Sequence, residues 1–216
     1  MSAVSIEDQP AMGAAARQVY AELTATLIHT RQQLAPKRLF APGPNAAQIH
    51  AYFQAAAAAP DHGQILPWRF IVVPAGSRAA LGAVFAQALQ ERDPSASDKE
   101  LGEARDKAHR APFVALAVIR GAPDDHPQIP LQERLISLGC AIQNMLLSAH
   151  ADGFGSGLVS GQAMQTGGLR QLFALHESEQ AVCFVAIGTV DRRKPIRARP
   201  DPSSFVSELR NEILHA

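Results

Sequence analysis

Four residues with binding or proton chemistry, Asp61-His62-Gly63-Gln64, lie between an alanine run that ends at Pro60 and the apolar stretch Phe70-Ile71-Val72-Val73. Proline stops a helix, and a β-branched apolar run reads as a core strand, so the four residues occupy a short loop of the kind that holds ligands. His62 is open to three roles there: general acid, metal ligand, or hydrogen-bonding contact to a bound molecule. A metal role lacks partners, because no other His or Cys lies at ligand spacing. Asp124-Asp125-His126 form a second candidate trio, but three ligands on so short a loop cannot readily surround one ion.

Two basic clusters stand far apart in the chain: Arg31 with Lys37 and Arg38, and Arg192, Arg193, Lys194, Arg197 and Arg199. Such clusters can form a nucleic-acid patch, an anion site or merely a solvated turn. The nucleic-acid reading is disfavoured by 20 basic against 20 acidic residues, by the flanking Asp191 and Asp201, and by one Trp and two Tyr for base stacking. A phosphate monoester needs about two or three charge-assisted donors, and the planar fork of arginine suits it.

These side chains must be positioned by a chain of 216 residues, 47% of them hydrophobic, which is enough for one sizeable core and one domain. Cys140 and Cys183 fall in apolar patterns and read as reduced, buried thiols. No apolar run reaches membrane-spanning length, and Glu7 and Asp8 stand where a signal peptide carries positive charge, so a soluble cytoplasmic protein is expected.

Residues 1–13 read as a disordered lead-in, and residues 14–216 as the single domain. Val19, Leu23 and Leu27 predict an amphipathic helix over 14–29, and Asn45 with Gln48 a capping box opening a helix that closes at Ala59. Further helices are predicted over 77–90, 97–109, 131–150 and 166–175, with a helix or arm over 203–214. Strands are predicted over 68–73, 113–119 and 181–190. The helix over 131–150 is apolar nearly all round and demands burial on more than one face, by the rest of the chain or by a second subunit, which Gly139 would let approach closely. Gly153, Gly155 and Gly157 come after a helix and before a strand, the wrong order for a dinucleotide-binding turn.

The loop and strand around Pro60-Asp61-His62-Gly63 and Pro67-Trp68-Arg69-Phe70 resemble the nitroreductase family of flavin mononucleotide (FMN) dependent oxidoreductases, in the form found in a bacterial subgroup with Asp-His in the loop. Its members commonly carry Ala-Pro-Ser-x-x-Asn-x-Gln-Pro-Trp here; Asp61, Gln64 and Leu66 replace Ser, Asn and Gln. The resemblance implies an α+β (α/β-like) fold with a central mixed sheet flanked by helices, in a domain-swapped or intertwined homodimer. It implies FMN as cofactor and NADH or NADPH as co-substrate. The flavin phosphate and ribityl chain would be held by Arg31-Gln32-Gln33, by Lys37 or Arg38, and by Arg197 and Arg199. Leu158, Val159, Ser160 and Gly161 match the segment whose backbone runs along the flavin ring near N5; without the resemblance, Ser160-Gly161 is a turn after a strand. Asp61, His62 and Gln64 would line the same site, with Trp68 and Gln143 in support.

The activity implied is hydride transfer from NAD(P)H through the flavin to a nitroaromatic, quinone or similar small conjugated acceptor by a ping-pong mechanism. Because the hydride resides on the cofactor, His62 is expected as a contact and not as a catalyst. Neither nucleic acid nor membrane is expected as a partner. Two rivals remain: a flavin-binding protein without turnover, motivated by Gln33, Asp61 and Leu66, and a metal-dependent hydrolase using Asp61 and His62.

Overall fold

A computed structural model describes residues 13–121, 126–192, 195 and 198–209. Four strands, β1 (Trp68–Val72), β2 (Phe113–Arg120), β3 (Gly155–Val159) and β4 (Glu179–Gly188), form one sheet in the order β1-β2-β4-β3. Every strand pair is antiparallel. This corrects the expected mixed sheet: β2 and β3 run the same way, but β4 lies between them. The parallel pairing among the described residues is a single bridge from Gln33 to Ser156.

The continuous apolar run of β2 is explained by burial of both sheet faces. Phe113, Ala115, Ala117 and Ile119 point into one core with Trp68, Tyr52, Leu138 and Met145. Val114, Leu116 and Val118 point into the other with Leu81, Leu169 and Phe184. Helices α2 (Ala46–Ala57) and α5 (Leu131–Ala151) cover the first face; α3 (Arg78–Arg92), α4 (Asp98–Asp106) and α6 (Gly167–Leu172) lie on the second. The capping box at Asn45 is present, with Gln48 N donating to Asn45 Oδ1 at 2.9 Å and Asn45 N to Gln48 Oε1 at 3.0 Å.

Apolar surfaces on α1, on α5 and in the C-terminal segment are left uncovered by the described residues. Helix α1 (Ala14–Thr30) has no buried residue, and Val19, Tyr20, Leu23 and Ile28 are exposed. On α5, Leu138, Ala141, Ile142 and Met145 face the core, whereas Leu135 and Ile136 are exposed and a Cβ built on Gly139 meets nothing. After the turn Pro202–Ser204, Phe205, Val206 and Leu209 are exposed and not helical, so the described part of the helix or arm expected over 203–214 is an arm; residues beyond 209 lie outside those described. Among the described residues no helix is long and apolar enough to cross a membrane.

Candidate functional site

Arg31 is the residue immediately after α1, with extended backbone angles that turn the chain toward β3. Its Nε and Nη1 are buried without a hydrogen-bond partner. Arg199 Nη2 donates to the Arg31 carbonyl at 3.2 Å, so a second guanidinium stands beside the first. Burial lowers the pKa of Arg31 from its ordinary value, and the Arg199 charge pushes the same way. Among the described residues no carboxylate forms an ion pair with either arginine. A half-buried cation beside a like charge is costly, and an anion joining the two would offset that cost. Gln32, His150, Phe154 and Ser156 line the same small recess as Arg31.

The other early residues divide into ties and free groups. Arg38 Nη2 donates to the Arg192 carbonyl at 2.8 Å, fastening the early basic segment to the late one. Lys37 is exposed. Gln33 spends its amide on the main chain of Leu158: Nε2 donates to the Leu158 carbonyl at 2.7 Å, and Oε1 accepts from Leu158 N at 3.1 Å. Arg197, expected as partner of Arg199, lies outside the described residues.

Beyond β3, Val159, Ser160 and Gly161 border a cavity of about 330 Å³ floored by Leu81, Phe85, Met164 and Phe184. Arg92, Lys107 and Arg110 also line it, and among the described residues no acidic one does. Arg92 is held by Gln162, to whose Oε1 its Nη1 donates at 2.7 Å. Sequence reasoning missed these three cations because they sit on and after helices. The only available signal was Lys107 and Arg110, three apart, just ahead of a buried strand.

The loop at 61–64 is well ordered by its own bonds but stands elsewhere. Asp61 Oδ2 accepts from Leu66 N at 2.7 Å, and Asp61 Oδ1 is buried without a partner. Gly63, Gln64 and Leu66 have φ of 71°, 52° and 45°, a left-handed path that such a staple must stabilise. Ser137 Oγ donates to the Pro60 carbonyl at 2.5 Å, and the buried Trp68 donates from Nε1 to Ser137 Oγ at 3.3 Å. His62 Nδ1 lies 2.7 Å from Glu133 Oε2, and its side chain is 66% exposed, which leaves the imidazole presented outward. Sequence reasoning missed Glu133, which helix α5 brings under the loop. Asp61 and His62 are thus turned to different partners, and among the described residues no three His, Cys, Asp or Glu converge as metal ligands.

Within one chain the predicted residues fall into two groups. Arg31, Gln32, Gln33, Lys37, Arg38, Arg199 and residues 158–161 gather at the β3 edge, whereas Asp61, His62 and Gln64 belong to the loop that feeds β1, the opposite edge.

The Nitroreductase family model matches residues 41–189. A relative from Haemophilus influenzae, provisionally named an NAD(P)H nitroreductase, is 36% identical over 185 residues, which span 85% of this chain and 98% of that protein. The crystal structure of a nitroreductase-like family protein from Bacillus cereus superposes with a TM-score of 0.74 at 18% identity, covering 86% of this chain and 95% of that one. A nitroreductase with bound FMN from Desulfitobacterium hafniense superposes with a TM-score of 0.63 at 18% identity, over 87% and 98% of the two chains. The antiparallel sheet covered by helices on both faces, and a family match through all four strands, make the chain a member of the nitroreductase family.

Proposed function

We propose that this protein is an FMN-dependent NAD(P)H oxidoreductase, acting as an intertwined homodimer that reduces a nitroaromatic, quinone or similar conjugated acceptor by a ping-pong mechanism. The observation that carries this reading is the uncompensated pair Arg31 and Arg199, a site for a dianion in a protein of zero formal charge. Arg31 and Arg199, with Lys37 and Arg197, hold the FMN phosphate, and Gln32 and Arg38 close the recess around it. The backbone of Ser160 and Gly161 borders the ring. When bound, FMN supplies the hydride chemistry. Lys107 and Arg110, at the same cavity, hold a positive potential where the ring would gain negative charge on reduction.

Dimerisation supplies the rest of the site. The loop bearing Asp61, His62 and Gln64 comes from the partner, because one chain holds it at the opposite sheet edge from Arg31. The uncovered faces of α1 and α5, the unpaired outer edge of β1 and the exposed Phe205, Val206 and Leu209 are the surfaces that exchange.

A second reading, a flavin-binding protein without turnover, is favoured by one observation: Gln33 and Asp61 bond the main chain of Leu158 and Leu66. Anaerobic mixing of the FMN-reconstituted protein with NADH and NADPH separates the two. Bleaching of the visible flavin band by either nucleotide supports the oxidoreductase; bound flavin that neither reduces supports the binding protein.

A further inference from the structure

Between α1 and the turn Pro36–Arg38, the chain runs beside β3 as a short parallel partner. Leu34 N donates to the Ser156 carbonyl at 3.0 Å, and Gln33 bridges to Ser156. The two backbones touch so closely that a Cβ built on Gly157 would lie 1.9 Å from the Leu34 carbonyl oxygen. Main-chain pairing then stops, because the segment turns away into Pro36–Arg38. Gln33 continues it with its side chain. A primary amide carries the same donor and acceptor as a peptide group, and Gln33 uses both on Leu158, at 2.7 and 3.1 Å.

We infer that Gln33 is a positioning residue: its amide extends the seam along β3 and fixes the backbone of Val159, Ser160 and Gly161 relative to Arg31. The inference rests on the flavin reading above. Arg31 is two positions before Gln33, and Val159 follows Leu158 directly, so the clamp joins the anion-holding end of the site to the segment bordering the ring. Without it the end of an edge strand is tied by β4 alone, and the distance from the guanidinium to the ring segment is free to vary. A serine at this position is too short to reach both main-chain groups of Leu158.

The test compares the parent with Gln33→Leu, which removes both bonds at similar volume, and Gln33→Glu, which keeps the shape but sets a carboxylate against the Leu158 carbonyl. For each, FMN and riboflavin affinities, the midpoint potential of the bound flavin, and amide hydrogen exchange at Leu158 are measured. The parent should protect the Leu158 amide even without flavin. Gln33→Leu should lose that protection, bind FMN and riboflavin about tenfold more weakly alike, and shift the midpoint potential; Gln33→Glu, whose carboxylate still accepts from Leu158 N but cannot donate to the Leu158 carbonyl, should keep part of the protection yet bind both flavins more weakly and shift the potential. Affinities and potential equal to the parent's in Gln33→Glu would reduce Gln33 to a space-filling role and overturn the inference, as would rapid exchange of Leu158 in the parent. A parent that binds neither flavin is a different result, and it removes the oxidoreductase reading itself.

Discussion

Arg199 reaches across the sequence to donate to the main-chain carbonyl of Arg31, placing its own charge beside a guanidinium whose Nε and Nη1 are buried and unsatisfied. Two like charges held together with no ion-paired carboxylate among the described residues oppose folding of the free protein and favour whatever anion joins them. Function and stability therefore pull in opposite directions at this pair.

Substitution of Arg31 separates the two effects. Arg31→Gln should leave the melting temperature of the flavin-free protein unchanged or higher, while FMN affinity falls tenfold or more, the loss of one charge-assisted contact of about 1.5–3 kcal/mol. Riboflavin, which lacks the phosphate, should bind the variant nearly as well as the parent. Calorimetric titration with both flavins reads the difference; equal losses would place Arg31 on the ring or in the fold.

Gly157→Ala tests the contact between β3 and the segment before it. With 1.9 Å between the new Cβ and the Leu34 carbonyl, backbone and not a flexible side-chain tip must move. Chemical denaturation should show a loss of about 2–3 kcal/mol, in the range of an overpacked core site, together with loss of FMN binding. Parent-like stability would mean the seam is looser than its geometry.

His62→Ala should leave bound FMN fully reducible by NAD(P)H while changing the KM for the acceptor, since the imidazole is outward-facing and the transferable hydride resides on the cofactor. Glu133→Gln, which weakens the hold on Nδ1, should shift the acceptor KM in the same direction by a smaller factor. Anaerobic stopped-flow decides. A His62→Ala protein that retains FMN yet cannot be reduced, where the parent can, assigns His62 to the hydride step.

Acid stability should depend on Glu179. Its side chain is 7% exposed and takes a bidentate pair from Arg69, both contacts at 2.7 Å, which holds its pKa below the ordinary carboxylate value. Because the folded pKa is depressed, the stabilisation is complete above the unfolded carboxylate range and is lost as pH falls through the folded value. Glu179→Gln should therefore be less stable than the parent at neutral pH, with a gap that closes under acid. Urea denaturation at a series of pH values reads this; a pH-independent gap would remove ionisation from the cause.

Periodicity and punctuation made the elements legible: the capping box at Asn45 and Gln48, the continuous apolar run over 113–119, and the helix end just ahead of Pro60 all appear where the chain has them. Strand direction was not legible, since whether β4 inserts between β2 and β3 depends on long-range pairing and not on local pattern. At the candidate site, the basic clusters pointed to Arg31 and Arg199 as residues for an anion, and the chain holds the two side by side. It could not show that Gln33 and Asp61 turn back onto main chain, because an amide or carboxylate bonds equally well to a ligand or to a neighbouring peptide group. Glu133 and Arg92 were invisible for a related reason: each becomes relevant only when a helix delivers it to a loop or cavity formed by distant residues.

The most direct measurement is reconstitution of the purified protein with FMN, followed by gel filtration in line with absorbance and light scattering. The expected result is a yellow dimer carrying about one flavin per chain, reducible by NADH or NADPH and binding FMN far more tightly than riboflavin. A protein that shows no visible flavin band after reconstitution, or that holds riboflavin as tightly as FMN, would contradict the assignment of Arg31 and Arg199 to the cofactor phosphate.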